Sequence, residues 1–189
     1  MMMNRAAFLD RDGTINEEVG YLDRLERLKI LPGAFEAVRL LNRRGLLAIV
    51  ITNQSGIARG FFDEAFVQDV HEHIRLAFLA QGAVIDGFYY CPHHPTEGSG
   101  KYRQACTCRK PEPGLLIRAT EERNITLEGS YMVGDMPKDV EAGKRAGCKG
   151  ILVRTGCGGM VDAGEVKPDY TADDLLDAVR WIVKDCETL

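Results

Sequence analysis

Short apolar runs alternate along this chain with segments whose apolar positions recur every three or four residues. Arg5–Leu9 predicts a first strand, and residues 46–51 predict a second, too continuously apolar to be half exposed. Shorter runs at 87–90, 131–133 and 151–153 predict three more strands, and 169–170 a short edge strand. Helices are predicted between them. One covers 34–44, introduced by Pro32-Gly33 and stopped by Gly45; another covers 63–81 and opens at a capping aspartate. A third covers 113–122 with proline in its first turn, a fourth lies near 138–146, and a fifth covers 173–183. Strand–helix alternation of this kind implies an α/β fold, a parallel sheet with helices on both faces. Ligands of such sheets bind beyond the carboxyl ends of the strands.

Polar clusters stand at those ends. Asp10-Arg11-Asp12-Gly13-Thr14 follows the first strand, Thr52-Asn53-Gln54-Ser55 the second, and Gly134-Asp135 the fourth. Two acids two residues apart at the end of a buried strand raise each other's pKa, so folding alone gains little from them. A magnesium ion resolves that conflict, because hard cations take oxygen ligands and supply positive charge. The arrangement suits covalent phosphoryl transfer, with Asp10 as nucleophile and Asp12 as general acid and then base. Thr52 has a hydroxyl for a phosphate oxygen, and Lys110 can neutralise charge on the transferring group. Asp135 completes the magnesium site with Asp10 and the backbone carbonyl of Asp12. Asp139, one helical turn after Asp135, is expected to position Lys110 or metal-bound water.

Composition narrows the function class. The chain has 189 residues, 45% hydrophobic and 28% charged, enough for one domain over 1–189 with a sizeable core. A formal net charge of −4 without a basic stripe argues against nucleic acid as partner. No run approaches membrane-spanning length, and the first strand begins too early to leave room for a signal peptide, so the expected location is cytoplasmic. Cys91 and His93 pair across a loop with Cys106 and Cys108. Three thiolates and an imidazole suit a closed, structural zinc site over 91–108, with His94 a competing ligand. Cys148, Cys157 and Cys186 read as ordinary small residues.

The motifs DRDGT at 10–14, TN at 52–53, the lysine at 110 and GDxxxD at 134–139 resemble the haloacid dehalogenase superfamily of phosphatases. The resemblance implies an aspartyl-phosphate intermediate, a magnesium requirement and a Rossmann-like three-layer core with strand order 5-4-1-2-3. Relatives often insert a mobile cap. The spacers here are too short for one, so specificity is expected from three loops: 16–27, 56–62 and the zinc loop.

Longer stretches resemble the family of D-glycero-D-manno-heptose 1,7-bisphosphate phosphatases: DRDGTIN with Gly20-Tyr21, TNQSGIARG at 52–60, YYCPHHP at 89–95, CRKPEPG at 108–114, YMVGD at 131–135 and LVRTG at 152–156. That resemblance implies hydrolysis of the C7 phosphate of a sugar bisphosphate in nucleotide-activated heptose biosynthesis, which can feed lipopolysaccharide. Arg109 is the first choice for the retained phosphate, with Arg59 and Arg103 behind it. Asn53 and Ser55 can bond to sugar hydroxyls or phosphate. Relatives usually carry a basic residue right after the aspartate of the fourth motif; here it is Met136, with Lys138 available to replace the charge. Histidinol-phosphate phosphatase, with the same catalytic set and a cationic substrate that Glu17 or Glu18 would suit, is the alternative. A monomer is the expected state.

Overall fold

The computed structural model describes residues 3–160 and 166–187. Its strands are β1 (Arg5–Leu9), β2 (Leu46–Asn53), β3 (Gly87–Cys91), β4 (Tyr131–Gly134), β5 (Lys149–Val153) and β6 (Tyr170–Ala172). They form one sheet in the order β3-β2-β1-β4-β5-β6, and every neighbouring pair is parallel. This is the expected order with β6 added outside β5, where Ile151 pairs with Tyr170. The helices are α1 (Ala34–Arg43), α2 (Glu64–Ala80), α3 (Gly114–Arg123), α4 (Pro137–Ala146) and α5 (Leu175–Cys186).

The side-chain period of a strand sorts the core into two layers. From β1, Ala7 and Leu9 face one side, packing with Val38 and Leu41 of α1, Ile74 and Phe78 of α2, and Val179 and Ile182 of α5. Ala6 and Phe8 face the other, packing with Leu116 and Ala119 of α3 and Ala142 of α4. Burial on both faces explains why β1 and β2 read as unbroken apolar runs.

The helix ends follow local chemistry. The Asp63 carboxylate accepts a hydrogen bond from the Phe66 N–H at 2.8 Å, and Asp174 accepts one from Asp177 at 2.8 Å, so each aspartate caps its helix. The last helix therefore starts at Leu175, two residues later than the pattern predicts. Pro113 sits just before α3 rather than in its first turn. The edge strand falls at 170–172 instead of 169–170; just before it Asp169 bonds Gly150 through its backbone N–H and its carboxylate.

The strands run further than their apolar runs. β2 continues through Thr52-Asn53, β3 reaches Cys91 and β4 reaches Gly134. Polar residues at these positions still take part in the ladder, which fixes their backbones before any site chemistry is added. Truncating the fully buried ring in Phe8→Ala should lower the unfolding free energy by roughly 3–5 kcal/mol, read as a drop in the urea midpoint at unchanged slope.

Candidate active site

The carboxyl ends of β1, β2 and β4 open into a cavity of about 230 Å³. Asp10, Asp12, Thr52, Asn53, Ser55, Arg109, Lys110 and Asp135 all line it, as do Glu18, Gln54, Arg59, Met136 and Lys138. Arg103 is not among the lining residues.

Lys110 is the pivot. Its ammonium donates to Asp10 Oδ1 at 2.8 Å and to the Ile51 carbonyl at 2.8 Å, and it lies 2.7 Å from Asp139 Oδ1. The ammonium thus makes two hydrogen bonds and an ion pair with a second, buried carboxylate. Asp139 is fully buried, and its other oxygen accepts from the Met136 N–H at 3.0 Å. It reaches the lysine because residue 134 is glycine: a Cβ there would stand 2.4 Å from Asp139 Cβ. Asn53 holds the same segment from outside. Its amide donates to the Lys110 carbonyl at 3.1 Å and its carbonyl accepts from the Lys110 N–H at 3.0 Å. Much of its side-chain capacity is thereby used on backbone rather than facing a ligand.

Asp12 is gripped differently. Arg11, itself buried, donates to both carboxylate oxygens at 2.9 and 2.8 Å; Asn16 and Gln54 add bonds of 2.9 Å each. The same Gln54 amide reaches Thr52 Oγ1 at 2.9 Å. Arg11, Asn16 and Gln54 are therefore part of the site, although sequence reasoning assigned them no role. The signal available for Asn16 was its spacing, four residues after Asp12.

Asp135 sits in a cradle made by two glycines in left-handed conformation, Gly13 (φ 80°) and Gly156 (φ 58°). A Cβ on either would come within 2.2 or 2.3 Å of Asp135 Oδ2. The Cys157 N–H donates to that oxygen at 2.8 Å, and the Thr155 hydroxyl ties the loop to the Gly13 carbonyl at 2.6 Å. Cys157 is thus at the site, not the unconnected small residue its sequence position implies.

These environments separate the carboxyl groups. Burial raises Asp10 to about 7 against the pull of Lys110, with Asp139 and Asp135 pushing the same way. Burial raises Asp135 to about 6, opposed by the Cys157 N–H. Burial would raise Asp12 too, but the Arg11 charge and the hydrogen bonds outweigh it and hold Asp12 below its ordinary range. One oxygen each from Asp10, Asp135 and Asp139 lie within 4.8 Å of one another. Three hard oxygen donors against one lysine fit a divalent cation.

Beside the cavity, Cys91, His93, Cys106 and Cys108 each offer a donor atom within 4.8 Å of the others. The Cys108 sulfur is 3.1 Å from Cys91 and 3.3 Å from Cys106, far beyond a disulfide bond. The Cys108 thiol is held down near 5, chiefly by its hydrogen bond with Cys91. His94 lies outside this set; its Nδ1 accepts from the backbone of Thr96 and Glu97. The loop docks on neighbouring segments. Arg109 donates to the His93 carbonyl at 3.2 Å, and Arg59 pairs with Glu97 and lies over the Tyr21 ring.

Fold and site together define a haloacid-dehalogenase-like phosphatase. The HAD-hydrolase-like family model matches residues 107–178. D-glycero-beta-D-manno-heptose-1,7-bisphosphate 7-phosphatase of Pasteurella multocida is 42% identical over 95% of this chain and 97% of its own. The D-glycero-D-manno-heptose-1,7-bisphosphate 7-phosphatase of Thermosynechococcus vestitus is 42% identical over 96% of each. The crystal structure of the D,D-heptose 1,7-bisphosphate phosphatase from B. bronchiseptica, complexed with magnesium and phosphate, superposes with a TM-score of 0.85 at 32% identity, covering 96% of this chain and 99% of that one. The chain belongs to this family of heptose-bisphosphate phosphatases.

The raised carboxyls give a signed prediction. In metal-free protein, Asp10 and Asp135 bind protons more tightly folded than unfolded, so their contribution favours the fold below pH 3.8 and is lost as pH rises to about 6 and about 7. Urea unfolding of wild type and Asp135→Asn across this range should show the wild type losing stability relative to the variant as pH rises. A wild type that gains stability relative to the variant as pH rises would contradict the assignment.

Proposed function

We propose that the chain hydrolyses the C7 phosphate of D-glycero-D-manno-heptose 1,7-bisphosphate through an aspartyl-phosphate on Asp10. The observation that carries the reading is the trio Asp10–Lys110–Asp139, paired at 2.7–2.8 Å beside a cavity lined by Asp10, Lys110, Asp12 and Asp135. Asp10 and Asp135, with the Asp12 carbonyl, would hold magnesium, which supplies positive charge to the phosphate oxygens. The side chains do the rest. An Asp10 oxygen attacks phosphorus while Asp12 gives a proton to the leaving sugar oxygen, then takes one from the water that cleaves the ester. Arg11 keeps Asp12 oriented and, at rest, ionised, so its proton must arrive with the substrate. Once Asp10 is esterified its carboxylate charge is gone, which frees a Lys110 hydrogen for the phosphoryl group. Thr52 offers its hydroxyl to the same group.

Arg109 is the residue for the retained phosphate. It lines the cavity beside Lys110, whereas the Arg59 guanidinium is already paired with Glu97. Lys138, also at the cavity wall, supplies the charge that Met136 lacks. Ser55 can reach sugar hydroxyls. The β anomer is the expected substrate, because the Pasteurella relative's name specifies it. Zinc fits the four soft donors of the cysteine loop as a closed structural site. A reducing cytoplasm suits the free thiols, and the enzyme is taken to act there as a monomer, supplying nucleotide-activated heptose synthesis. Among the described residues, no helix is long and apolar enough to cross a membrane.

Glu18 at the cavity edge favours a second reading, histidinol phosphate, whose amine a carboxylate would attract. Steady-state kinetics on both heptose bisphosphate anomers, with histidinol phosphate as control, decide between them. The β bisphosphate should give the highest kcat/KM, and a higher value for histidinol phosphate would overturn the assignment. Asp10→Asn should lose on the order of 10⁴ or more in kcat while keeping fold and zinc; unaltered turnover would rule out the nucleophile. Stripping zinc and restoring magnesium should lower kcat/KM by roughly tenfold or more, with secondary structure by circular dichroism largely retained.

A further inference from the structure

The loop after β5 brings a soft donor to the edge of this hard-oxygen site. The Cys157 sulfur, an Asp135 oxygen and a Glu18 oxygen all lie within 4.8 Å of one another. They come from three separate segments: the loop after β1, the end of β4 and the loop after β5. Glu18 and Asp135 also line the cavity, so the set opens to solvent. The missing side chains at Gly13 and Gly156 keep the Asp135 carboxylate uncrowded on that side.

The donor chemistry selects the ion. Magnesium keeps to oxygen and near-ideal octahedral geometry, so a thiol adds nothing to its binding. A thiolate beside two carboxylates suits zinc or cobalt, with a sulfur bond of about 2.3 Å and oxygen bonds of about 2.0–2.2 Å. Around one tetrahedral ion such donors stand about 3.5 Å apart, so donors already within 4.8 Å of one another can close on it by small side-chain rotations.

The geometry points to a second metal site, in which Cys157, Asp135 and Glu18 hold a thiophilic divalent cation that inhibits the enzyme by taking Asp135 away from magnesium. Binding forms a metal–sulfur bond and releases the thiol proton to solvent; nothing is oxidised or reduced. With three protein donors, and with Lys138 acting on both Glu18 and Cys157, this site is weaker than the four-donor cysteine loop and fills after it. The inhibitory half of the proposal rests on the phosphatase reading, whereas the binding half does not.

The test uses the full chain with its cysteine loop already zinc-loaded and magnesium present. Cobalt added to wild type should produce a further sulfur-to-cobalt charge-transfer band, absent in Cys157→Ser. Zinc should inhibit phosphate release from the sugar bisphosphate at constant magnesium, and Cys157→Ser should need roughly tenfold more zinc for half-inhibition, each protein scaled to its own zinc-free rate. Equal cobalt spectra in the two proteins would overturn the site. A lost band with unshifted zinc inhibition would overturn the inhibitory role. A cobalt band in a wild type with no phosphatase activity would sink the phosphatase reading and leave the site standing.

Discussion

Three buried carboxylates and one buried lysine cannot share a cavity at charge balance. Asp10, Asp135 and Asp139 together carry three negative charges when ionised, and Lys110 returns one. The remaining deficit of two is what a divalent cation supplies, and what two protons supply in its absence. In the metal-free protein Asp10 and Asp135 are displaced upward chiefly by burial, with the neighbouring carboxylates adding to it. Burial makes the imbalance costly enough to matter, since the same charges at the surface would be screened by water. The conflict therefore belongs to the site's chemistry: it makes the pocket avid for a cation and then for the anion that the cation attracts.

The fold exists to hold that imbalance in place. Register sets Leu9 beside both Val50 and Val133, which brings Asp10, Ile51 and Gly134 to one level at the carboxyl end of the sheet. The approach of the loops is then limited by Cβ atoms, and glycine removes them where it counts. Gly134 lets Asp139 under the strand end, while Gly13 and Gly156 close around Asp135. At Gly13 and Gly156 the backbone also needs positive φ, so any substitution there meets both strain and collision.

Much of this was legible in the chain. Buried parallel strands announce themselves as unbroken apolar runs, and the polar residues that terminate them fall at the ligand-binding edge by topology alone. Hence Asp10, Asp12, Thr52, Lys110 and Asp135 could be grouped from sequence, and the cavity does gather them. What periodicity does not encode is direction within a loop. Arg11 stands between the two acids with no role visible in its position, and it folds back on Asp12 as a bidentate clamp. Asn53 lines the cavity as expected of a ligand contact, and it also grips the Lys110 backbone across 57 residues of chain. Cys157 had no partner within reach in sequence; only the return of the β5 loop brings it to Asp135. Each of these depends on tertiary closure, which no local pattern carries.

The cysteine loop belongs to the same constraint. Cys108, Arg109 and Lys110 are consecutive, so a metal fixing Cys108 anchors the chain two residues before the lysine that binds Asp10. The far side of Cys108 is pinned as well: the Gly114 N–H donates to the Thr107 carbonyl at 2.9 Å, an approach that a Cβ at residue 114 would block at 2.3 Å. Arg109, between the two anchors, keeps one nitrogen on the His93 carbonyl and directs its charge along the cavity wall. The loop also braces Gly98 and Ser99 against the Ala58 carbonyl, in the segment that carries Arg59. A flexible connection here would let the lysine relax toward solvent and leave Asp10 unpaired. A structural ion held by the four loop donors would make that relaxation cost the metal site, and would so brace the lysine that faces the catalytic carboxylates.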